Sequence, residues 1–110
     1  MSEESQIKNT IQTYFDCMNE SRADKVHVAF HPNAKITGYV EDNLREMTVT
    51  DFANLVGSQL PSPKEKGEIL PADILSIEIA GNTAVARVRD DYLGRTFLDT
   101  LSFLKEGGEW

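Results

Sequence analysis

The stretch FLDTLSFLKEGGEW, residues 97–110, sets an acid among large apolar side chains and then runs into a glycine turn. In a strand every second side chain shares a face, so Phe97, Asp99, Leu101 and Phe103 point the same way. A carboxylate on that face costs free energy unless something there needs it. The same two-residue period extends upstream. ADILSIEIA (72–80) turns at Gly81-Asn82 into TAVARVRDDY (83–92), which turns at Leu93-Gly94 into RTFLDTLSFLK (95–105). Three antiparallel strands in a meander follow from that pattern.

The register of the last hairpin decides what Asp99 faces. A three-residue turn, Tyr92-Leu93-Gly94, places Arg87 opposite Asp99 and makes it half of a cross-strand ion pair. A two-residue turn, Leu93-Gly94, places Val88 opposite Asp99 and lines Ala84, Ala86 and Val88 along the face of Phe97 and Phe103. The second is favoured because it gathers the apolar set on one side, and a slip of one residue would expose all of it. It asks Leu93 to adopt an awkward dihedral.

Upstream of residue 60 the period is helical. Ile7, Ile11, Tyr14, Phe15 and Met18 form one stripe of an amphipathic helix, with Glu3 and Glu4 where the helix dipole favours negative charge. Asn19-Glu20-Ser21 ends it, and Ser21 with Asp24 has the spacing of a capping box for a short second helix that stops before Pro32. AKITGYV (34–40) alternates as a strand, EDN (41–43) is a turn, and LREMT (44–48) returns. TVTDFANLVGSQL (48–60) is a third helix, capped at Thr48 or Thr50, with Phe52, Leu55 and Val56 inward. PSPKEKGE (61–68) is a charged loop. Three helices and an antiparallel sheet make an α+β domain, and residues 1–110 read as one domain without repeat or linker.

Composition narrows the function. A chain of 110 residues with 40% hydrophobic and 26% charged residues is of globular type, with room for one core. A net charge of −7, with scattered Lys and Arg, argues against nucleic acid. No apolar run reaches the roughly 20 residues of a membrane helix. The acidic N-terminus is unlike a signal peptide. A single cysteine, Cys17, forms no internal disulfide, and a cytoplasmic protein is the simplest expectation. Two histidines without a carboxylate cluster give no metal-site spacing, so neither metal nor cofactor is expected. His27 reads as solvated, His31 as a cap or surface residue with the pocket as the lesser alternative, and Cys17 as an inert thiol.

YFDCMNESRADKVHVAFHPNAKI (14–36) resembles the opening of the nuclear transport factor 2-like superfamily: an aromatic first helix, a polar turn, and a short helix ending in F-H-P-x-A before a strand. FLDTLSFLKEGGEW is similar to the D-x-L-x-L-x-K-x-x-G-x-W pattern of its SnoaL-like, or lumazine-binding-like, bacterial branch. The resemblance spans the chain and implies a curved sheet wrapped around helices into a cone with a hydrophobic pocket. It also implies a homodimer through the outer sheet face, where Arg87 and Arg89 could lie. A further strand follows the Trp in those relatives, so the chain is expected to lack its last strand.

The ketosteroid isomerases of that superfamily place a first-helix Tyr and a late-strand protonated Asp around a substrate oxygen. Tyr14 and Asp99 match those positions. The catalytic base falls at Gly38, which can move no proton, so steroid isomerisation is not expected. A carboxyl held among Phe97, Leu101 and Phe103 has its charged form disfavoured, and when neutral it can donate a hydrogen bond, as Tyr14 can. Two such donors in a pocket lined by Met18, Ile36, Phe52, Val56 and Val88 would take a small apolar or heterocyclic ligand with a carbonyl-like head. Tyr14 on an apolar stripe is equally readable as a plain core tyrosine. Three functions remain open: a small-molecule-binding domain, an isomerase, dehydratase or cyclase using Asp99 with Tyr14, and an interaction module with a filled core.

Overall fold

The computed structural model describes residues 2–110. Helix α1 spans Glu3–Glu20, opened by Ser2, whose hydroxyl accepts the Ser5 N–H at 3.1 Å. It buries Ile7, Ile11 and Met18 of the helical stripe, and Cys17 beside them. Its end differs from the sequence expectation. Ser21 does not cap the second helix. It is the left-handed residue that terminates α1, with φ 53°, and its hydroxyl donates to the Gln59 carbonyl at 2.6 Å. Helix α2, Ala23–Ala29, starts from Arg22 with no side-chain cap, while Asp24 is taken up by the Arg22 guanidinium at 2.6 and 2.7 Å.

Strands β1 (Lys35–Val40) and β2 (Asn43–Thr48) form a hairpin whose tip residues, Glu41 and Asp42, both have positive φ. Helix α3, Val49–Gly57, carries a full capping box. Thr48 Oγ1 accepts the Asp51 N–H, and the Asp51 carboxylate accepts the Thr48 N–H. Of the two threonines considered, Thr48 is the cap.

A second, three-stranded antiparallel sheet has the order β3 (Ala72–Ala80), β4 (Thr83–Tyr92), β5 (Arg95–Leu104). A bulge between Ile74 and Ser76 shifts the β3–β4 register. The β4–β5 hairpin takes the two-residue turn: Tyr92 pairs with Arg95, Val88 with Asp99 and Ala84 with Phe103. Leu93 and Gly94 both lie in the left-handed region, with φ 53° and 75°, the geometry that matches strand twist in a tight hairpin. On β4 the residues Ala84, Ala86, Val88, Asp90 and Tyr92 are buried in strict alternation. After β5, Gly107 and Gly108 reverse the chain and Glu106 bridges to Glu109. Glu3 then accepts from Lys105 Nζ and Trp110 Nε1, tying this turn to the start of α1.

The core has two parts. One is built on Met18, Val26, Phe52 and Val56, the other on Ile7, Ile11, Ala86 and Val88, and Tyr14 and Phe15 pack against both. Among the described residues no helix is long and apolar enough to cross a membrane.

Two substitutions test this packing. Ile11 is fully enclosed, so Ile11→Ala should lower unfolding free energy by about 2–5 kcal/mol in urea denaturation. Leu93 is an exposed left-handed residue. Since that conformation costs a non-glycine residue roughly 1–2 kcal/mol, Leu93→Asn should stabilise the protein by up to about 1 kcal/mol. A destabilised Leu93→Asn would contradict the two-residue turn.

Candidate functional site

The two-residue turn puts Asp99 on the face of β5 that looks toward the helices, and α1 brings Tyr14 over it. The Tyr14 hydroxyl donates to Asp99 Oδ2 at 2.8 Å. The Tyr14 ring is set by aromatic neighbours. Phe30 meets it edge-on at 5.6 Å, and Phe15 and Phe52 lie at 5.8 and 6.3 Å. Among the described residues Asp99 has no cationic partner. Arg87 stands opposite Thr100 on the other face, and Arg89 pairs with Asp73 at 2.7 Å. Asp99 thus accepts the Tyr14 hydroxyl hydrogen on Oδ2.

A third acid group belongs to the site. Asp90 continues the buried row Ala84, Ala86, Val88, and it is 2% exposed. Val88 pairs with Asp99 and Asp90 with Phe97, so the two carboxyls are diagonal neighbours on one face. Burial, and then the adjoining Asp99 carboxyl, raise the pKa of Asp90 to about 8. Its Oδ2 has no hydrogen-bond partner. Burial, with the charges of Asp99 and Asp90 behind it, pushes the Tyr14 phenol well above its ordinary value of 10. Tyr14 therefore keeps its proton across the neutral range and gives it to Asp99 as a hydrogen bond. The signal for Asp90 was in the sequence: the two-residue period that marks Val88 also marks the residue two further on.

The residues named from the sequence as pocket lining fall into two groups. Met18, Phe52, Val56 and Val88 are buried. Tyr14, Ile36, Phe97, Asp99, Leu101 and Phe103 are half-buried. The half-buried set includes the whole inward row of β5, facing a β4 row that is closed. Two clefts open elsewhere. A groove of about 670 Å³ lies between the 58–71 loop and the Tyr92–Thr96 hairpin tip, away from Tyr14 and Asp99. A smaller cleft, about 290 Å³, lies between α1 and residues 68–72, and both Met18 and Asp90 line it.

The remaining polar candidates sit outside this cluster. His31 is at the surface, accepting the Asn33 N–H on Nδ1 with Nε2 3.8 Å from Glu106, and His27 is exposed. The Cys17 thiol is buried, donates to the Tyr14 carbonyl at 2.9 Å, and is pushed up to about 12 by that burial, the behaviour of an unreactive thiol. Gly38 lies mid-strand in β1 with nothing within 4 Å of where a Cβ would stand.

The model of a family described as "Putative lumazine-binding" matches residues 2–110, and the chain belongs to that family. Three solved structures of nuclear transport factor 2-like proteins of unknown function share its fold. The one from Silicibacter pomeroyi is 20% identical with a TM-score of 0.85, the match covering 100% of this chain and 92% of that one. The one from Shewanella baltica is 25% identical with a TM-score of 0.82, covering 98% and 86%. The one from Methylobacillus flagellatus is 26% identical with a TM-score of 0.83, covering 100% and 87%. No protein of curated function matches the chain. The fold is thus the curved-sheet cone of the nuclear transport factor 2-like superfamily, as the motifs implied.

The raised pKa of Asp90 makes a signed prediction. An unfolded Asp loses its proton near pH 3.9, the folded one near 8. Between those values the unfolded chain binds fewer protons, so this group's contribution is most favourable below pH 4 and is progressively lost as pH rises toward 8. Asp90→Asn should therefore be more stable than the wild type at pH 8, with the advantage shrinking toward pH 5 in paired urea titrations. A variant less stable at pH 8 but unchanged at pH 5 would mean that Asp90 is ionised and stabilising.

Proposed function

We propose that this member of the lumazine-binding-like family is a small-molecule-binding domain whose site is the half-open inner face of β5, with Tyr14 and Asp99 as its polar contacts. The observation that carries this reading is the contrast between adjacent strands. The inward row of β4 is closed by the helices, while Phe97, Asp99, Leu101 and Phe103 beside it are only half-buried around the Tyr14–Asp99 hydrogen bond. Met18, Phe52, Val56 and Val88 form the packed wall behind, and Ile36 borders the opening from β1.

A ligand with adjacent carbonyl and N–H groups is the best chemical match. Its carbonyl accepts the Tyr14 proton and its N–H donates to the Asp99 carboxylate, so one internal hydrogen bond is exchanged for two. Cyclic amides and imides of flat heterocycles present that edge, which agrees with the family's description. A second reading, an isomerase, dehydratase or cyclase, draws on one observation: Asp90 supplies a titratable carboxyl beside Asp99, although Gly38 cannot serve as a base. In both readings the protein acts as a homodimer. The outer sheet face exposes Leu98 (75%), Leu104 (68%) and Val85 (42%), apolar surface of the kind that self-association covers.

Lumazine, a pteridine-2,4-dione, is the direct probe. Fluorescence titration should show saturable binding to the wild type. Tyr14→Phe and Asp99→Asn should each weaken it by up to about tenfold, the effect of one hydrogen bond of roughly 1 kcal/mol. Equal affinity in all three proteins would remove Tyr14 and Asp99 from the site. For the dimer, sedimentation should give twice the monomer mass for the wild type and the monomer mass for Leu98→Lys. A monomeric wild type would refute the outer-face interface.

A further inference from the structure

Among the described residues one carboxyl group is fully buried, that of Asp90 at 2% exposed, and the Tyr14–Asp99 reading gives it no task. Its place is fixed by the β4–β5 register. Val88 pairs with Asp99 and Asp90 with Phe97, so the two acids stand diagonally across one step of the ladder on the inner face. At that spacing the two carboxyl groups hydrogen-bond. From the other side Tyr14 donates to Asp99 Oδ2 at 2.8 Å. Asp99 is therefore flanked by a phenol on α1 and a carboxyl group on β4.

Two carboxyl groups in contact, with no cation beside them, share one proton, because two adjacent anions are too costly to desolvate together. The nearby cations are engaged elsewhere. Arg89 holds Asp73 at 2.7 Å, Arg95 holds Glu41 at 3.0 Å and Lys25 holds Glu20 at 3.0 Å, while Arg87 stands opposite Thr100 on the outer face. The geometry also says where the shared proton sits. Asp99 is half-buried and accepts the Tyr14 hydroxyl, which favours its anion. Asp90 is enclosed, and as an anion it would find no donor for Oδ2. The proton stays on Asp90, and the negative charge on Asp99.

We infer that protonated Asp90 is a positioning residue of the Tyr14–Asp99 site, its O–H holding the Asp99 carboxylate ready for the N–H of a neutral cyclic amide or imide. Asp90 is enclosed and touches no ligand itself. The inference rests on the reading of Tyr14 and Asp99 as the ligand's polar contacts, and adds the regulation of that site: loss of the Asp90 proton releases the ligand.

The sign follows from charge. A neutral ligand takes water from Asp99, and its N–H replaces the phenol as donor. The donors on Asp99 are then as many as before in a drier site, so the pair binds with one negative charge and not with two. The groups that bear on Asp90 are Tyr14 and Cys17 on α1, Asp99 on β5, Asp91 and Tyr92 beside it on β4, and Asp16 and Glu68 around the neighbouring cleft. Burial raises Tyr14, Cys17 and Tyr92 and keeps all three neutral through pH 8. Asp90 itself loses its proton near pH 8 in the empty protein. Affinity should be level below about pH 7 and fall above about pH 8, by up to about tenfold per unit for one proton taken up on binding.

Fluorescence titration with 2-quinolone, a flat cyclic amide that keeps its own proton from pH 6 to 10, tests this. The wild type should show the high-pH loss. Asp90→Asn, whose amide can still donate to Asp99, should bind at pH 7 within a small factor of the wild type and hold that affinity to pH 10. Asp90→Val has no donor and should bind about fivefold more weakly at pH 7, the effect of one hydrogen bond. A level wild-type profile would overturn the inference, as would Asp90→Asn keeping the high-pH loss or Asp90→Val binding like the wild type. The two readings fail differently. Binding that Tyr14→Phe and Asp99→Asn weaken, but that pH leaves unchanged, ends this inference and leaves the Tyr14–Asp99 site standing. Equal affinity in the wild type, Tyr14→Phe and Asp99→Asn, or no binding at millimolar concentration, removes both. Without any ligand, the carbon-13 signal of the Asp99 carboxyl should move at the Asp90 step and lose that response in Asp90→Asn. An Asp99 signal indifferent to that step would overturn the Asp90–Asp99 contact by itself.

Discussion

A tight turn of two left-handed residues, Leu93 and Gly94, decides which carboxyl groups face the helices. Because side chains alternate with period two, moving the β4–β5 pairing by one residue would turn a whole row over. With the observed register, Val88 meets Asp99, the arginines of β4 go to the outer face, and Asp90 and Asp99 become neighbours on the inner one. The strained Leu93 is sustained by the burial that this register permits, since Ala84, Ala86 and Val88 are all enclosed. A looser turn would relieve the leucine and bring Arg87 opposite Asp99 as an ordinary ion pair.

The outcome is a group of three acids with no cationic partner among the described residues. Tyr14 on α1, Asp99 on β5 and Asp90 on β4 converge where the two halves of the core meet, and the phenol ring packs against both halves. Tyr14 satisfies Asp99, but its single proton cannot also serve Asp90. Burial first, and then a hydrogen bond to the Asp99 carboxyl, hold the proton on Asp90. The site thus has two sides with different chemistry. Toward β5 it is half-buried, aromatic and hydrogen-bonded. Toward the 290 Å³ cleft it is acidic, with Asp16, Glu68, Asp90 and Asp91 in the lining.

Much of this was legible in the sequence, because the elements are strongly periodic. The α1 stripe, the Thr48 cap, the meander and the inward face of β5 follow from spacing and turn residues, and the apolar pattern selected the hairpin register over better turn chemistry. Asp90 was not picked out, although it stands two residues beyond Val88. Next to Asp91, it reads as the polar end of a strand, and alternation alone does not tell where the helices stop covering the sheet. Ser21 was misassigned for a related reason: a capping-box spacing cannot distinguish the start of one helix from the end of the previous one. Depth was also out of reach. Periodicity gives the face of Met18, Phe52, Val56 and Val88, but only packing shows that they are core while Leu101 and Phe103 are half-buried. The family motifs identified the fold and left the ligand open, as expected of a fold that hosts many activities.

The electrostatic account of the inner face turns on Asp90 being a buried carboxyl that keeps its proton near neutrality. The most direct measurement is a carbon-13 NMR titration of the aspartate side-chain carboxyls, with the Asp90 signal assigned by its loss in Asp90→Asn. The account predicts that this signal titrates near pH 8. A midpoint near the ordinary value of about 4 would contradict it, showing Asp90 to be solvated or paired with a cation.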